Sequence, residues 1–345
     1  MRALVTGVAG FVGSNLAERL IADGHEVLGI DAFLDYYPRS FKEANLAALR
    51  QSPGFSFVEA DLNDVDLRAL LHGRDWVFHQ AAQAGVRASW GTSFEIYTAS
   101  NIRATQRLLE AAVKTPGLQR LVYASSSSVY GDTRDLPVTE RSLTQPVSPY
   151  GVTKLAAEHL CSLYWRNYGV PAVSLRYFTV YGPRHRPDMA FHKFGKSMLE
   201  ERELTIYGDG AQSRDFTFVS DVVEANLRAA QTAGVEGMVF NIAGGSRASL
   251  HTVLALMEGI CGRVPRVRFE PVARGDVRDT YADTTLAQRY LDFHPRVSLA
   301  DGLRAELAFL AELYGLGTQP VTATPPGRLT APPPGRLTPV LLQAD

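Results

Sequence analysis

Arg2-Ala3-Leu4-Val5-Thr6-Gly7-Val8-Ala9-Gly10-Phe11-Val12-Gly13 opens the chain with a short apolar run and three glycines at three-residue spacing. Helical periodicity then runs over 13–23. A strand turning straight into a helix aims backbone N–H groups and the positive helix end at one point, which suits a pyrophosphate, and glycines let that ligand reach the main chain. A glycine triplet also serves any tight strand-to-helix turn. Asp31, 18 residues beyond Gly13, ends the second apolar run where an adenosine ribose would lie. A carboxylate there accepts bonds from both ribose hydroxyls and repels a 2′-phosphate, which favours NAD over NADP. Arg39, nearby in sequence, is the residue that speaks for NADP, and a plain turn role for Asp31 stays open.

Working outward, β-branched or apolar runs at 3–6, 26–30, 56–59, 76–79, 121–124 and 172–176 alternate with amphipathic stretches, clearest over 13–23, 92–114 and 149–168. This is the pattern of βα units winding a parallel sheet. The expected fold is α/β, a Rossmann-type doubly wound parallel sheet with a smaller C-terminal α/β lobe. Beyond Tyr177 the alternation becomes irregular, and charged, Gly- and Pro-rich loops at 181–188, 208–214 and 273–279 suggest a lobe closing over a ligand. The last stretch holds two copies of Pro-Pro-Gly-Arg-Leu-Thr, at 325–330 and 333–338, so 318–345 is expected to be a disordered Pro-rich tail.

The 345 residues are 46% hydrophobic and 21% charged, enough to bury a core, which excludes a disordered chain or a fibrous repeat. Lys and Arg number 35 against 36 Asp and Glu, so no bulk field draws the chain to nucleic acid or an anionic membrane. The two cysteines, Cys161 and Cys261, lie in helical stretches and are expected to be buried free thiols. With no signal-peptide pattern and no run long enough to span a bilayer, a cytoplasmic location is expected. The eight His and two Cys show no ligand spacing, so no metal is expected.

Chemistry concentrates at Tyr150-Gly151-Val152-Thr153-Lys154, which starts a helix after Pro149 and puts phenol and ammonium on one face. A nearby ammonium is expected to lower the phenol pKa from about 10 toward neutrality, as a general base for an alcohol requires. Ser125-Ser126-Ser127-Ser128 closes the fifth strand at the same sheet edge. Asp61-Leu62 ends the third strand. The fourth ends Phe78-His79-Gln80-Ala81-Ala82, where small side chains let a dinucleotide cross the edge. His79 reads as a satisfied structural histidine.

With these residues the chain resembles the extended short-chain dehydrogenase/reductase family, and within it the nucleotide-sugar epimerases. The resemblance covers about residues 1–315. It rests on Gly7-x-x-Gly10-x-x-Gly13, Asp31, Asp61-Leu62, His79-x-Ala81-Ala82, Ser126-x-x-Val129-Tyr130-Gly131, Tyr150-x-x-x-Lys154, Arg176-Tyr177-Phe178, Tyr207-Gly208-Asp209-Gly210 and Arg214-Asp215-Phe216. It implies tightly bound NAD held by Gly7, Gly10, Phe11, Val12, Gly13, Asp31, Asp61, Leu62, Ala81, Ala82, Asn101, Tyr150, Lys154 and Tyr177. It also implies catalysis by Tyr150, Lys154 and Ser126, a UDP-sugar substrate, and a homodimer joined through the helices at 92–114 and 149–168. Residues 1–178 would form the NAD-binding domain, with about 216–243 returning to it, and 179–315 mainly the UDP-sugar lobe.

Ser127-Ser128 stands where the family's 4,6-dehydratases carry an Asp-Glu pair and its decarboxylases a glutamate at the second place, so dehydration and decarboxylation are disfavoured. Asp31-Ala32-Phe33-Leu34-Asp35-Tyr36-Tyr37, Ala81-Ala82-Gln83-Ala84-Gly85-Val86-Arg87 and the stretch from Phe178 to Met189 resemble the UDP-glucuronate 4-epimerases. That likeness implies Ser127, Ser128, Thr179 and Arg186 around a sugar carboxylate, Tyr207 against uracil and Arg214 on the diphosphate. The family's second diphosphate arginine would stand at 273, which is Ala273 here, leaving Arg274 or Arg278 as substitutes. The implied activity is NAD-dependent 4-epimerisation of UDP-glucuronate through a transient 4-keto sugar. The alternatives are a UDP-glucose/UDP-galactose 4-epimerase, whose neutral hexose would leave Arg186 unpaired, a UDP-glucuronate decarboxylase and a non-catalytic NAD-binding protein.

Overall fold

The computed structural model describes residues 1–316, so the tail expected at 318–345 lies outside the described residues. Six parallel strands form in chain order: β1 (Arg2–Thr6), β2 (Glu26–Asp31), β3 (Phe55–Glu59), β4 (Trp76–His79), β5 (Arg120–Ser126) and β6 (Ala172–Tyr177). Short strands β7 (Val180–Tyr181), β8 (Glu203–Tyr207) and β9 (Ser213–Phe218) follow, then β10 (Val239–Ile242), β11 (Ser246–Ser249) and β12 (Arg266–Glu270). The main sheet has seven strands in the order β10-β6-β5-β4-β1-β2-β3, a doubly wound Rossmann-type α/β arrangement. Its order reverses between β1 and β4, where Thr6 lies beside His79. Ligands bind at such a switch point, outside the carboxyl ends of the strands.

Helices cover both faces. On one, α1 (Phe11–Ala22) and α8 (Val219–Gln231) pack over β1, β4, β6 and β10 through Leu16, Leu20, Val222, Phe78 and Phe240. On the other, α5 (Ala104–Val113) and α6 (Pro149–Tyr168) bury Leu108, Ala157 and Cys161 against Leu4, Val77 and Tyr123. The shorter helices α2 (Arg39–Leu46), α3 (Leu67–Leu71) and α4 (Phe94–Tyr97) fill connections. A separate core holds α7 (Ala190–Leu199), α9 (Leu250–Cys261) and α11 (Leu299–Tyr314) with β8 and β9, and α10 (Thr285–Leu291) lies against β10. Both cysteines are free and buried.

Three local features place the site. Gly13 sits where a Cβ would come within 2.2 Å of the Gly7 carbonyl oxygen, so only glycine lets α1 start this close to the end of β1. Helix α6 starts sharply because the Ser148 hydroxyl accepts the Gly151 N–H and Pro149 needs no donor. It ends at Gly169, at φ 71°. The helix expected over 92–114 runs without interruption from Phe94 to Val113, as α4, a π-helical segment at Thr98–Arg103 and α5, after a 3₁₀ turn at Gly91–Ser93. The wider turn rotates Asn101 inward, where it accepts the Gln83 N–H and donates to the Gln83 carbonyl and the Thr153 hydroxyl.

Candidate active site

One cavity of about 750 Å³ runs over the carboxyl edge of the main sheet to β8 and β9, lined at one end by Asp31 and at the other by Arg214. At the first end, the N-terminus of α1 has no side-chain cap, so its amides face the lumen beside Gly7, Gly10 and Gly13. The Asp31 carboxylate accepts the Ala9 N–H at 3.1 Å and the Phe33 N–H at 2.8 Å, with the Lys42 ammonium 4.0 Å away. Burial still pushes its pKa above the ordinary carboxylate value. Arg39 is held by Glu43 and Glu59 at 2.8 and 2.6 Å and does not line the cavity. The uncapped amides, glycine cradle and ribose-side carboxylate fit NAD, with no guanidinium offered to a 2′-phosphate. Phe11, Val12, Asp61, Leu62, Ala81, Ala82 and Tyr177 line the same stretch of wall.

At the middle of the cavity Ser126, Tyr150 and Lys154 converge from β5 and α6. The lowering of the Tyr150 pKa expected from Lys154 is not what the structure produces. Burial pushes the phenol above its ordinary value, and hydrogen bonding to Ser126 and the charge of Arg186 only partly oppose this. Burial also pulls the Lys154 ammonium down to about 7. Its Nζ lies 4.6 Å from the centre of the Tyr123 ring, a partial substitute for lost water.

Next along the wall stand Ser127, Ser128, Thr179 and Arg186. Arg186 is not free to await an anion. Its Nε and Nη2 donate to the two carboxylate oxygens of Asp188, both at 2.9 Å, and the Tyr36 hydroxyl donates to Asp188 at 3.2 Å. Burial opposes both charges, but their pairing overrides it, raising the Arg186 pKa and lowering that of Asp188. This corrects the expectation that a neutral hexose would strand the guanidinium.

At the far end Arg214 donates to the carbonyls of Ser213, Val277 and Arg278. Tyr207 lines the wall with its ring under the Arg87 guanidinium, 4.1 Å from the centroid. Arg278 does not line the cavity: its guanidinium lies 3.5 Å from Asp209, and its backbone N–H donates to Asp132. Arg274 does not line the cavity either. Asn101 lies beneath the floor and fixes the segment at Gln83 to α6, without reaching the lumen.

His79 is fully buried between the Thr6 and Thr105 hydroxyls, and burial lowers its pKa to about 3. A buried ion pair joins Glu158, which lies outside every motif, to Arg176, which the motifs include without a role. Glu158 accepts from Arg176 Nη2 and from the Ser125 hydroxyl, both at 2.6 Å, and Arg176 donates on to the Tyr130 hydroxyl. The network pins β5 and β6 to α6 directly behind Ser126 and Lys154. The one available signal was Glu158 four residues beyond Lys154, on the same helix face.

Residues 3–243 match the model of the NAD dependent epimerase/dehydratase family. An uncharacterized UDP-glucose epimerase, YtcB of Bacillus subtilis, is 47% identical, covering 91% of this chain and 99% of that protein. The UDP-glucuronic acid 4-epimerase of Bacillus cereus, solved with UDP-glucuronic acid and NAD, is 44% identical with a TM-score of 0.89, covering 91% and 100%. MoeE5, solved with UDP-glucuronic acid and with UDP-glucose, each alongside NAD, is 39% identical with a TM-score of 0.82 over the same shares. The chain belongs to the NAD-dependent epimerase/dehydratase family.

Proposed function

We propose that the chain is an NAD-dependent UDP-sugar 4-epimerase acting on UDP-glucuronate to give UDP-galacturonate. The observation that carries this reading is a single lumen with a dinucleotide cradle at Asp31, an acid–base group at Tyr150, an arginine among hydroxyls at Arg186 and a cationic mouth at Arg214. The relatives solved with UDP-glucuronic acid and NAD support it.

Tyr150, as phenolate, takes the proton of the C4 hydroxyl, while Ser126 holds that oxygen by a hydrogen bond. The α1 amides and Asp31 hold the cofactor, with Lys154 on the nicotinamide ribose. NAD held there would supply the acceptor for the C4 hydride and the donor for its return to the turned sugar. Once C4 is a ketone, a C6 carboxylate is prone to leave as carbon dioxide. Arg186 and the hydroxyls of Ser127, Ser128 and Thr179 keep its charge localised and its bond out of line with the carbonyl.

A second reading, UDP-glucose 4-epimerase, is favoured by one observation: Asp188 already neutralises Arg186, so a hydroxymethyl group meets a satisfied pair. The deciding experiment incubates the purified chain, without added NAD, with UDP-glucuronate and follows the sugars by NMR. UDP-galacturonate is the expected product. Turnover of UDP-glucose alone transfers the assignment to the second reading, UDP-xylose overturns the role of the serines, and dependence on added NAD points to an ordinary dehydrogenase.

A homodimer through the α4–α6 face belongs to the same reading. Ile96, Val152 and Leu163 are exposed there, at 40%, 48% and 52%, beside a hollow lined by Ile102 and Leu160. Sedimentation at micromolar concentration is expected to give a dimer, and a monomeric profile rejects it.

A further inference from the structure

We infer that Arg87 is the second cation for the diphosphate of the UDP-sugar, and that Asp276 holds it in place until the ligand arrives. This rests on the reading of the substrate as a UDP-sugar. A diphosphate carries two negative charges, and Arg214 alone offers it one guanidinium. Among the described residues, no carboxylate lies within ion-pair distance of Arg214, whose hydrogen bonds go to neutral carbonyls. Arg87 begins the 3₁₀ turn Arg87–Ser89 in the connection after β4. Its Nη2 reaches Asp276 Oδ2 at 2.6 Å, and its Nε lies 3.3 Å from Asp276 Oδ1. Arg87, Arg214, Tyr207 and Asp276 line the same end of the cavity.

The pieces are already in contact. A Cβ at Gly275 would meet Val86 at 3.1 Å, so the loop bearing Asp276 presses on the turn bearing Arg87. The Arg87 guanidinium carbon lies 4.1 Å from the Tyr207 ring centroid, a cation–π contact that steadies the group while its N–H groups donate. Arg87 and Asp276 are partly exposed, their side chains at 48% and 25%, so releasing the carboxylate to water costs little. A phosphate oxygen pair replaces one carboxylate on the same fork and at the same time relieves the repulsion between two like charges. Arg87 thus supplies the cation that Ala273 cannot.

Isothermal titration of the full chain with UDP and with uridine tests this in the parent, Arg87→Gln and Asp276→Asn. Arg87→Gln is expected to weaken UDP by about tenfold or more, the scale of a charge-assisted bond, and to leave uridine within about twofold. Asp276→Asn is expected to bind UDP as tightly as the parent or more tightly. Unchanged UDP affinity in Arg87→Gln overturns the assignment. A parallel loss of uridine does too, since Arg87 would then act through the Tyr207 ring. Weakening of UDP by Asp276→Asn as large as that from Arg87→Gln also overturns it, since the ion pair itself would be what matters. If the parent binds no UDP, the proposed function falls, a result distinct from any of these.

Discussion

Tyr150→Phe is expected to epimerise UDP-glucuronate about 10³-fold more slowly than the parent, the scale of a lost general acid–base group. The substitution keeps the ring that packs edge-on to Tyr97 at 6.3 Å and removes only the hydroxyl, so the fold is retained and a thermal melt shows it. Turnover within a few-fold of the parent would reject Tyr150 as the base. The sign of the pH dependence follows from the pair. Burial holds Lys154 near 7 and Tyr150 above its ordinary value, so phenol with ammonium loses its first proton near pH 7. Phenolate with ammonium and phenol with amine carry the same number of protons, and the former is the reactive arrangement within that state. The kcat/KM therefore rises with pH through about 7, and a flat profile from about pH 6 to 9 contradicts it.

Arg186→Gln is expected to lower kcat/KM for UDP-glucuronate by about a hundredfold while leaving UDP-glucose within a few-fold. The loss has two parts. The fork that grips the sugar carboxylate is gone, and Asp188, half-buried beside Tyr36, remains as an unpaired negative charge facing that carboxylate. The double variant Arg186→Gln/Asp188→Asn therefore recovers part of the uronate activity, although it contains no new cation. Asp188→Asn alone frees the guanidinium and raises the preference for uronate over hexose. If Arg186→Gln slows both sugars equally, or Asp188→Asn leaves their ratio unchanged, Arg186 does not read the substrate's charge.

What the sequence revealed and what it concealed follow physical range. The strand at 3–6, the glycines after it and Asp31 all act within one βα unit, so spacing alone placed them along one wall of the cavity. Tyr150 and Lys154 share a helix face that begins at a readable Ser148-Pro149 cap. The π-helical segment at Thr98–Arg103 was concealed, because one extra residue in a turn leaves an apolar pattern that still reads as helix. Glu158 and Arg176 are unremarkable singly, and only tertiary packing makes them a buried pair. Arg87 stood in a recognised stretch without a role, since its partners lie 120 and 189 residues away, at Tyr207 and Asp276. The direction of the Tyr150 shift turned on burial, which residue spacing does not report.

The seventh strand, β10, pairs with β6 across residues that build much of the second core, and α8 lies on α1 from an equally distant part of the chain. A nascent polypeptide released from the ribosome only as far as β6 therefore lacks one edge of its sheet and half the cover of α1. Two thirds of the chain must emerge before the nucleotide cradle has its full support. Until then β6 offers an unpaired backbone edge to any neighbouring strand, the period in which synthesis is most open to misassociation.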